Sequence, residues 1–170
     1  YDIWSVPLDV AGIAGRPRPV APSSWSDYAP ACSPDGTRIA FISDRSGNRE
    51  IWIADRDGSH PHQLTRLAAA NLSRPIWAPS GESLAFSCER DGYAAAHVVD
   101  CASGRVRRLG GCGRHEVPTC WPPDGSWIYL DVDSGRGWQL ARVSPQGAHA
   151  QTVLENGHGL ECPTSDGHLI

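Results

Sequence analysis

Ser33-Pro34-Asp35-Gly36-Thr37-Arg38-Ile39-Ala40-Phe41-Ile42-Ser43-Asp44-Arg45-Ser46-Gly47 sets turn, apolar run and turn side by side. Pro34 fixes φ at the first corner, Asp35 can accept from its own following backbone, and Gly36 tolerates positive φ. Ile39-Ala40-Phe41-Ile42 has the composition of a short buried strand. Asp44-Arg45-Ser46-Gly47 then turns the chain again.

The pattern recurs. Ser33-Pro34-Asp35-Gly36 is followed 45 positions later by Ala78-Pro79-Ser80-Gly81, then after 44 by Pro122-Pro123-Asp124-Gly125, then after 42 by Thr164-Ser165-Asp166-Gly167. The strands keep register: Ile39-Ala40-Phe41 matches Leu84-Ala85-Phe86 and Ile128-Tyr129-Leu130, while Ile51-Trp52-Ile53 matches Ala96-His97-Val98. Each unit holds four short strands, and a period of about 40–45 residues with four strands is that of a β-propeller blade. Gly and Pro supply 32 of the 170 residues, about 19% against a usual value near 12%. No stretch carries sustained helical spacing with a capped start. The expected class is all-β, a β-propeller of four-stranded antiparallel blades.

The units resemble the bacterial TolB-type propeller repeat, which runs Pro-x-Trp-Ser-Pro-Asp-Gly, Ile-Ala-Phe, Ser-Asp-Arg-x-Gly, Ile-Trp/Tyr, Gln-Leu-Thr. Residues 30–65 follow it almost throughout, with Cys32 where the pattern has Trp, and Trp77 and Trp121 hold that place in the next copies. Departures are Ser80 for the turn Asp, His97 and Ala141 for the third-strand aromatic, and Pro163 for the first-strand Trp. The resemblance implies a bacterial protein, placed in the periplasm or otherwise outside the cytoplasm, whose propeller binds partners and is often joined to other domains.

Tyr1-Asp2-Ile3-Trp4 matches Glu50-Ile51-Trp52, a third strand, and Gly167-His168-Leu169-Ile170 falls in a second strand. The expected organisation is a half blade at 1–20, blades at 28–66, 73–110 and 117–155, and a half blade at 160–170. An arc of a larger ring is the first expectation; the alternative joins both halves into a fourth blade.

Net charge is −4, with 15 Arg and no Lys, which disfavours a nucleic-acid surface. No apolar run nears the roughly 18 residues of a membrane helix. Six cysteines invite a disulfide reading. However, Cys120 and Cys162 are repeat-equivalent, so a spacing of about 10 Å between stacked sheets disfavours joining them. Cys32, Cys88 and Cys101 are expected as buried thiols, with Cys112 the loop partner if a bridge forms. Cys112-x-x-His115-x4-Cys120 resembles half a zinc site without its other half. The acidic turns Asp55-Arg56-Asp57-Gly58 and Asp131-x-Asp133-x-Gly135 lack the distal Glu of a calcium loop. No Gly-x-Ser-x-Gly elbow or second zincin His occurs. No catalytic residue, metal or cofactor is expected.

What remains is a binding surface. Inter-blade loops are expected at 21–29, 67–75, 110–118 and 155–162. Trp25, Asp27, Tyr28, Arg74, His115 and Glu116 are the candidate contacts there, since aromatic and charged residues on a rigid scaffold make good anchors. The expected function is a non-catalytic interaction or sensor module for a protein or small ligand. The rivals are the gating propeller of a prolyl-oligopeptidase-type serine peptidase and part of a propeller lyase acting on acidic sugars.

Overall fold

The structure, a computed structural model, describes residues 1–159 except 13, 14, 70, 112, 148, 149 and 158. Fifteen strands and no helix occur among them. Strands β1 (Ile3–Ser5) and β2 (Arg18–Val20) pair alone. Strands β3 (Asp27–Cys32), β4 (Arg38–Ser43), β5 (Glu50–Asp55) and β6 (His62–Gln63) form an antiparallel four-stranded sheet in chain order.

The next unit has β7 (Asn71–Leu72) and β8 (Ile76–Trp77), both on β9 (Ser83–Arg90), followed by β10 (Tyr93–Asp100) and β11 (Val106–Arg108). The last described sheet is β12 (His115–Cys120), β13 (Ile128–Asp133), β14 (Trp138–Val143) and β15 (Gln151–Glu155). The chain is thus an all-β propeller fragment. The half blade expected at 160–170, with the turn at 164–167, lies outside the described residues.

Proline shapes the first strand of each full sheet. The β3–β4 register shifts between Tyr28 and Ala31, and β12–β13 shifts between Pro118 and Cys120. In the middle unit the break is complete, and β7 and β8 flank Ser73-Arg74-Pro75. Proline has no N–H to give a ladder, so it sits at such irregularities. These strands begin at Asp27, Asn71 and His115. The inter-blade loops are therefore shorter than expected, and Asp27, Tyr28, His115 and Glu116 belong to strands.

The second strands β4 and β9 are buried on both faces because a neighbour lies on each side, whereas β13 buries only alternate residues. Ile39 and Phe41 pack with Ile3 and Val20 of the first pair, while Ala40 and Ile42 pack with Leu84 and Phe86 of the next sheet. Ala85 then packs with Ile128 and Leu130 beyond. His97, which replaces the third-strand aromatic, stacks on Phe86 with ring centroids 5.7 Å apart.

Adjacent blades also share backbone pairing. Ala94 pairs in parallel with His115, and Arg49, its repeat equivalent, makes an antiparallel bridge to Ala69 in the linker that leads to β7. Trp77 adds a side-chain lock, its indole N–H donating to the Ala31 carbonyl at 2.9 Å with the Arg38 guanidinium 4.9 Å from its ring centroid.

One cysteine expectation changes. Cys120 is disulfide-bonded, whereas Cys32, Cys88 and Cys101 are free; Cys112 and Cys162, the two pairings weighed from the sequence, lie outside the described residues. Cys32 is exposed rather than buried, since the small thiol at the Trp77-equivalent position lines an open cavity beside Ala31 and Pro34.

Candidate functional site

The turns between second and third strands and the linkers entering each first strand meet at one end of the sheets. Two grooves open there. The first, about 370 Å³, is lined by Tyr1, Ser26, Tyr28, Asp44, Arg49 and Asn71. The second, about 340 Å³, is lined by residues that include Asn71, Ser73, Glu89, Ala94, His115 and Trp138.

These grooves are the same feature one blade apart. In the repeat register Ser26 corresponds to Asn71, Tyr28 to Ser73, Asp44 to Glu89, Arg49 to Ala94 and Asn71 to His115. Each groove lies between a blade and its successor, and Asn71 belongs to both. In the first, Arg49 Nη1 donates to Asn71 Oδ1 at 3.2 Å, and its guanidinium lies 6.0 Å from the Tyr28 ring centroid. The Tyr28 hydroxyl is buried with no hydrogen-bond partner. Burial raises its pKa, with Arg49 opposing and Asp44 adding to the shift.

A third cavity, about 490 Å³, lies among the first strands of three units and is lined by residues that include Ala31, Cys32, Arg74, Trp77, Val117 and Thr119. Arg74 lies here, and Ser73 and Val117 connect this cavity to the second groove.

The six sequence candidates therefore divide. Tyr28 lines the first groove, His115 the second and Arg74 the inner cavity. Trp25 stands 55% exposed on the linker into β3. Asp27 and Glu116 are buried, at 2% and 0% exposure, so neither side chain reaches the surface.

Both buried acids serve the scaffold. Asp27 Oδ1 receives Arg45 Nη2 at 2.8 Å, and the same nitrogen donates to the Ala21 carbonyl at 2.9 Å. Glu116 Oε2 accepts from the Ala96 amide at 3.2 Å. One blade earlier, the matching Ile51 amide donates to Thr65 Oγ1 at 2.9 Å, and the Thr65 hydroxyl donates to Glu50 Oε2 at 2.6 Å. Gly110 holds the Thr65 position and Ala95 the Glu50 position in the later copy, so a carboxylate from the next blade satisfies the amide. A buried amide left unpaired costs about 1–3 kcal/mol, which explains the buried acid.

Arg49, Asn71, Glu89 and Trp138 were absent from the candidate set. The repeat register signals them, because each aligns with another groove residue. Among the described residues no three His, Cys, Asp or Glu side chains group as a metal-ligand set. No described helix is long and apolar enough to cross a membrane.

The TolB beta propeller domain model matches residues 8–167. The Tol-Pal system protein TolB of Desulfosudis oleivorans is 36% identical over 87 residues, covering 51% of this chain and 19% of the relative. YuxL of Bacillus subtilis, an uncharacterized peptidase, is 27% identical over 141 residues, covering 61% of this chain and 21% of the relative. The solved structure of a protein assigned as TolB from Agrobacterium tumefaciens superposes with a TM-score of 0.77 at 25% identity, covering 93% of this chain and 57% of that one. The chain thus spans about a fifth of either relative's length. With the repeat, the blades and the match over nearly all residues, the chain belongs to the TolB β-propeller domain family.

Proposed function

We propose that this propeller is a non-catalytic interaction module, acting outside the cytoplasm, that binds a protein partner across the groove-bearing end. The observation that carries this reading is the pair of repeat-equivalent grooves sharing Asn71, which place Tyr28, His115 and Trp138 on strands and Arg49 just before β5. Aromatic and charged side chains held by strands offer anchors at low ordering cost. Membership of the TolB family and similarity to a Tol-Pal system protein support a protein partner and a periplasmic setting.

The reading is tested by photo-crosslinking in cells of the source bacterium. A photoreactive residue is placed at Trp25, His115 or Trp138, with Gln151 on β15 as control. Adducts at the first three sites and none at Gln151 are expected. Adducts only at Gln151, or none anywhere, overturn the reading. So does turnover of a prolyl peptide or an oligogalacturonate by the purified chain, abolished by substituting a groove residue.

A further inference from the structure

A cavity of about 210 Å³ on the middle blade is lined by Ser83, Val98, Asp100, Arg105 and Arg107. Val98 opposes Arg107 as Ile53 opposes His62, so in the repeat register Arg105 and Arg107 hold the places of His60 and His62 one blade earlier. Ser83 opposes Asp100 as Arg38 opposes Asp55, so the serine holds the place of a long arginine. In the first blade these side chains are engaged: Asp55 takes His60 at 2.7 Å, and Arg38 Nη2 crosses to the Gly81 carbonyl at 2.7 Å. The middle blade leaves donors over. Asp100 Oδ1 turns to its own turn, accepting from the Ser103 amide at 2.7 Å and the Ser103 hydroxyl at 2.5 Å. Among the described residues the Arg105 guanidinium has no acidic partner and the Ser83 hydroxyl makes no hydrogen bond. Arg107 Nη2 donates to the Pro145 carbonyl of the following blade, which fixes its guanidinium, and Arg107 Nη1 is buried without a hydrogen-bond partner.

We propose that this cavity is a carboxylate site, which takes one carboxylate group between the Arg105 guanidinium and the Ser83 hydroxyl, beside the fixed Arg107. Serine in place of the long Arg38 side chain opens the room, and the guanidinium fork matches two carboxylate oxygens. Two arginines and Asp100 leave one net positive charge on the lining, which balances a monoanion. A phosphate dianion would bring excess negative charge against Asp100. The carboxylate of an acidic side chain and that of a chain terminus offer the same chemistry. Ser83 opens β9 and Asp100 closes β10, whereas the grooves lie at the Glu89 and Ala94 ends of these strands. The site is therefore a second contact and does not depend on partner binding at the grooves.

The test titrates the 170-residue chain by NMR with four probes: Gly-Glu-Gly blocked at both ends, Gly-Gly-Gly blocked only at its amine, Gly-Gln-Gly blocked at both ends, and inorganic phosphate. A saturable shift of the Ser83 amide is expected with one or both carboxylate peptides and not with the glutamine peptide. The tighter of the two carboxylates identifies the source, side chain or chain terminus. Arg105→Gln weakens binding by about tenfold, the scale of a lost charge-assisted bond. Ser83→Arg abolishes it by filling the cavity with the side chain that the first blade carries there, while an unshifted Trp77 indole shows that the fold is intact. Equal shifts with the glutamine peptide, phosphate bound as tightly as either carboxylate, binding unaffected by Arg105→Gln or Ser83→Arg, or no shift at all overturn the proposal.

Discussion

Arg45 and Asp27 form an ion pair inside the scaffold, Nη2 to Oδ1 at 2.8 Å, with side-chain exposures of 12% and 1%. The arginine also lies over Phe41 and Trp52, with 5.1 Å to each ring centroid. Its carbonyl contact to Ala21 ties the linker from the first strand pair to the sheet that follows. Arg90, one repeat later, donates to the Leu67 carbonyl of the next linker. Removing one partner of a buried pair costs about 3–5 kcal/mol, because the other charge is left in a poor solvent. Arg45→Ala is expected to lower stability by about that much, and Arg45→Ala with Asp27→Ala by less than the sum. Urea unfolding of the two single variants and the double variant measures the coupling.

Glu116→Ala leaves the Ala96 amide without its carboxylate, and a cost of about 1–3 kcal/mol is expected. The same substitution at exposed Glu82 sets the scale for a surface acid and should change stability by less than about 0.5 kcal/mol. Equal effects for the two would show that Glu116 contributes nothing from inside the sheet.

Turn aspartates set the acid limb of stability. The Ser33 hydroxyl donates to Asp35 Oδ1 at 2.5 Å and the Thr37 amide donates to it at 3.0 Å, holding the carboxyl down to about 2. Asp124 is lowered likewise by Ser126, in the matching turn two repeats on. A carboxyl whose folded pKa lies below its unfolded value of 3.8 contributes fully above 3.8 and loses that contribution as pH falls toward 2. Asp35→Asn should flatten the fall in urea midpoint between pH 4 and pH 2. Ser80, which holds this place in the middle blade, carries no such titration.

His60 and Asp55 make an exposed pair at 2.7 Å, Nδ1 to Oδ2. The Asp55 bond raises the His60 pKa above 6.5, so this contribution is full below 6.5 and lost as pH rises through the folded value. The carboxyl is lowered in turn, chiefly by His60, so its share is lost as pH falls below 3.8. NMR titration should place the His60 midpoint above 6.5, and Asp55→Asn should bring it down. An unchanged midpoint in the variant would remove the pair from the account.

Thiol chemistry separates the free cysteines. Burial pushes Cys101 up to about 11 and raises Cys88 as well, so the thiolate is scarce at both near neutral pH. Cys32 is exposed and should react first with Ellman's reagent. Cys32→Ser should remove one equivalent from the fast phase, while Cys88 and Cys101 react on unfolding.

Blade architecture was legible because turn chemistry and strand pattern recur together, so Ser33–Gly47 could be checked against two later copies. Surface assignment was harder, since Asp27 and Glu116 read as loop polar residues when taken singly. They share one repeat position with Leu72, which is itself buried. That equivalence marks the position as inward-facing, and only a buried arginine or an unpaired amide lets it carry an acid. The Cys120 disulfide stayed open at the level of sequence, because a count of six cysteines does not fix which of them pair. Arg49 and Trp138 escaped notice because their position varies from Arg to Ala to Trp, and variation within a repeat hides a shared location.

The bridges Arg49–Ala69 and Ala94–His115 carry a consequence for how the chain comes apart. Hydrogen bonds that cross from one blade to the next make each sheet's edge depend on its neighbour's being formed. Local opening should then spread across the boundary, and blade pairs become the cooperative units seen in native-state amide exchange. The grooves at Asn71 and His115 sit on these seams, so partner binding there would grip two blades at once and raise exchange protection in both.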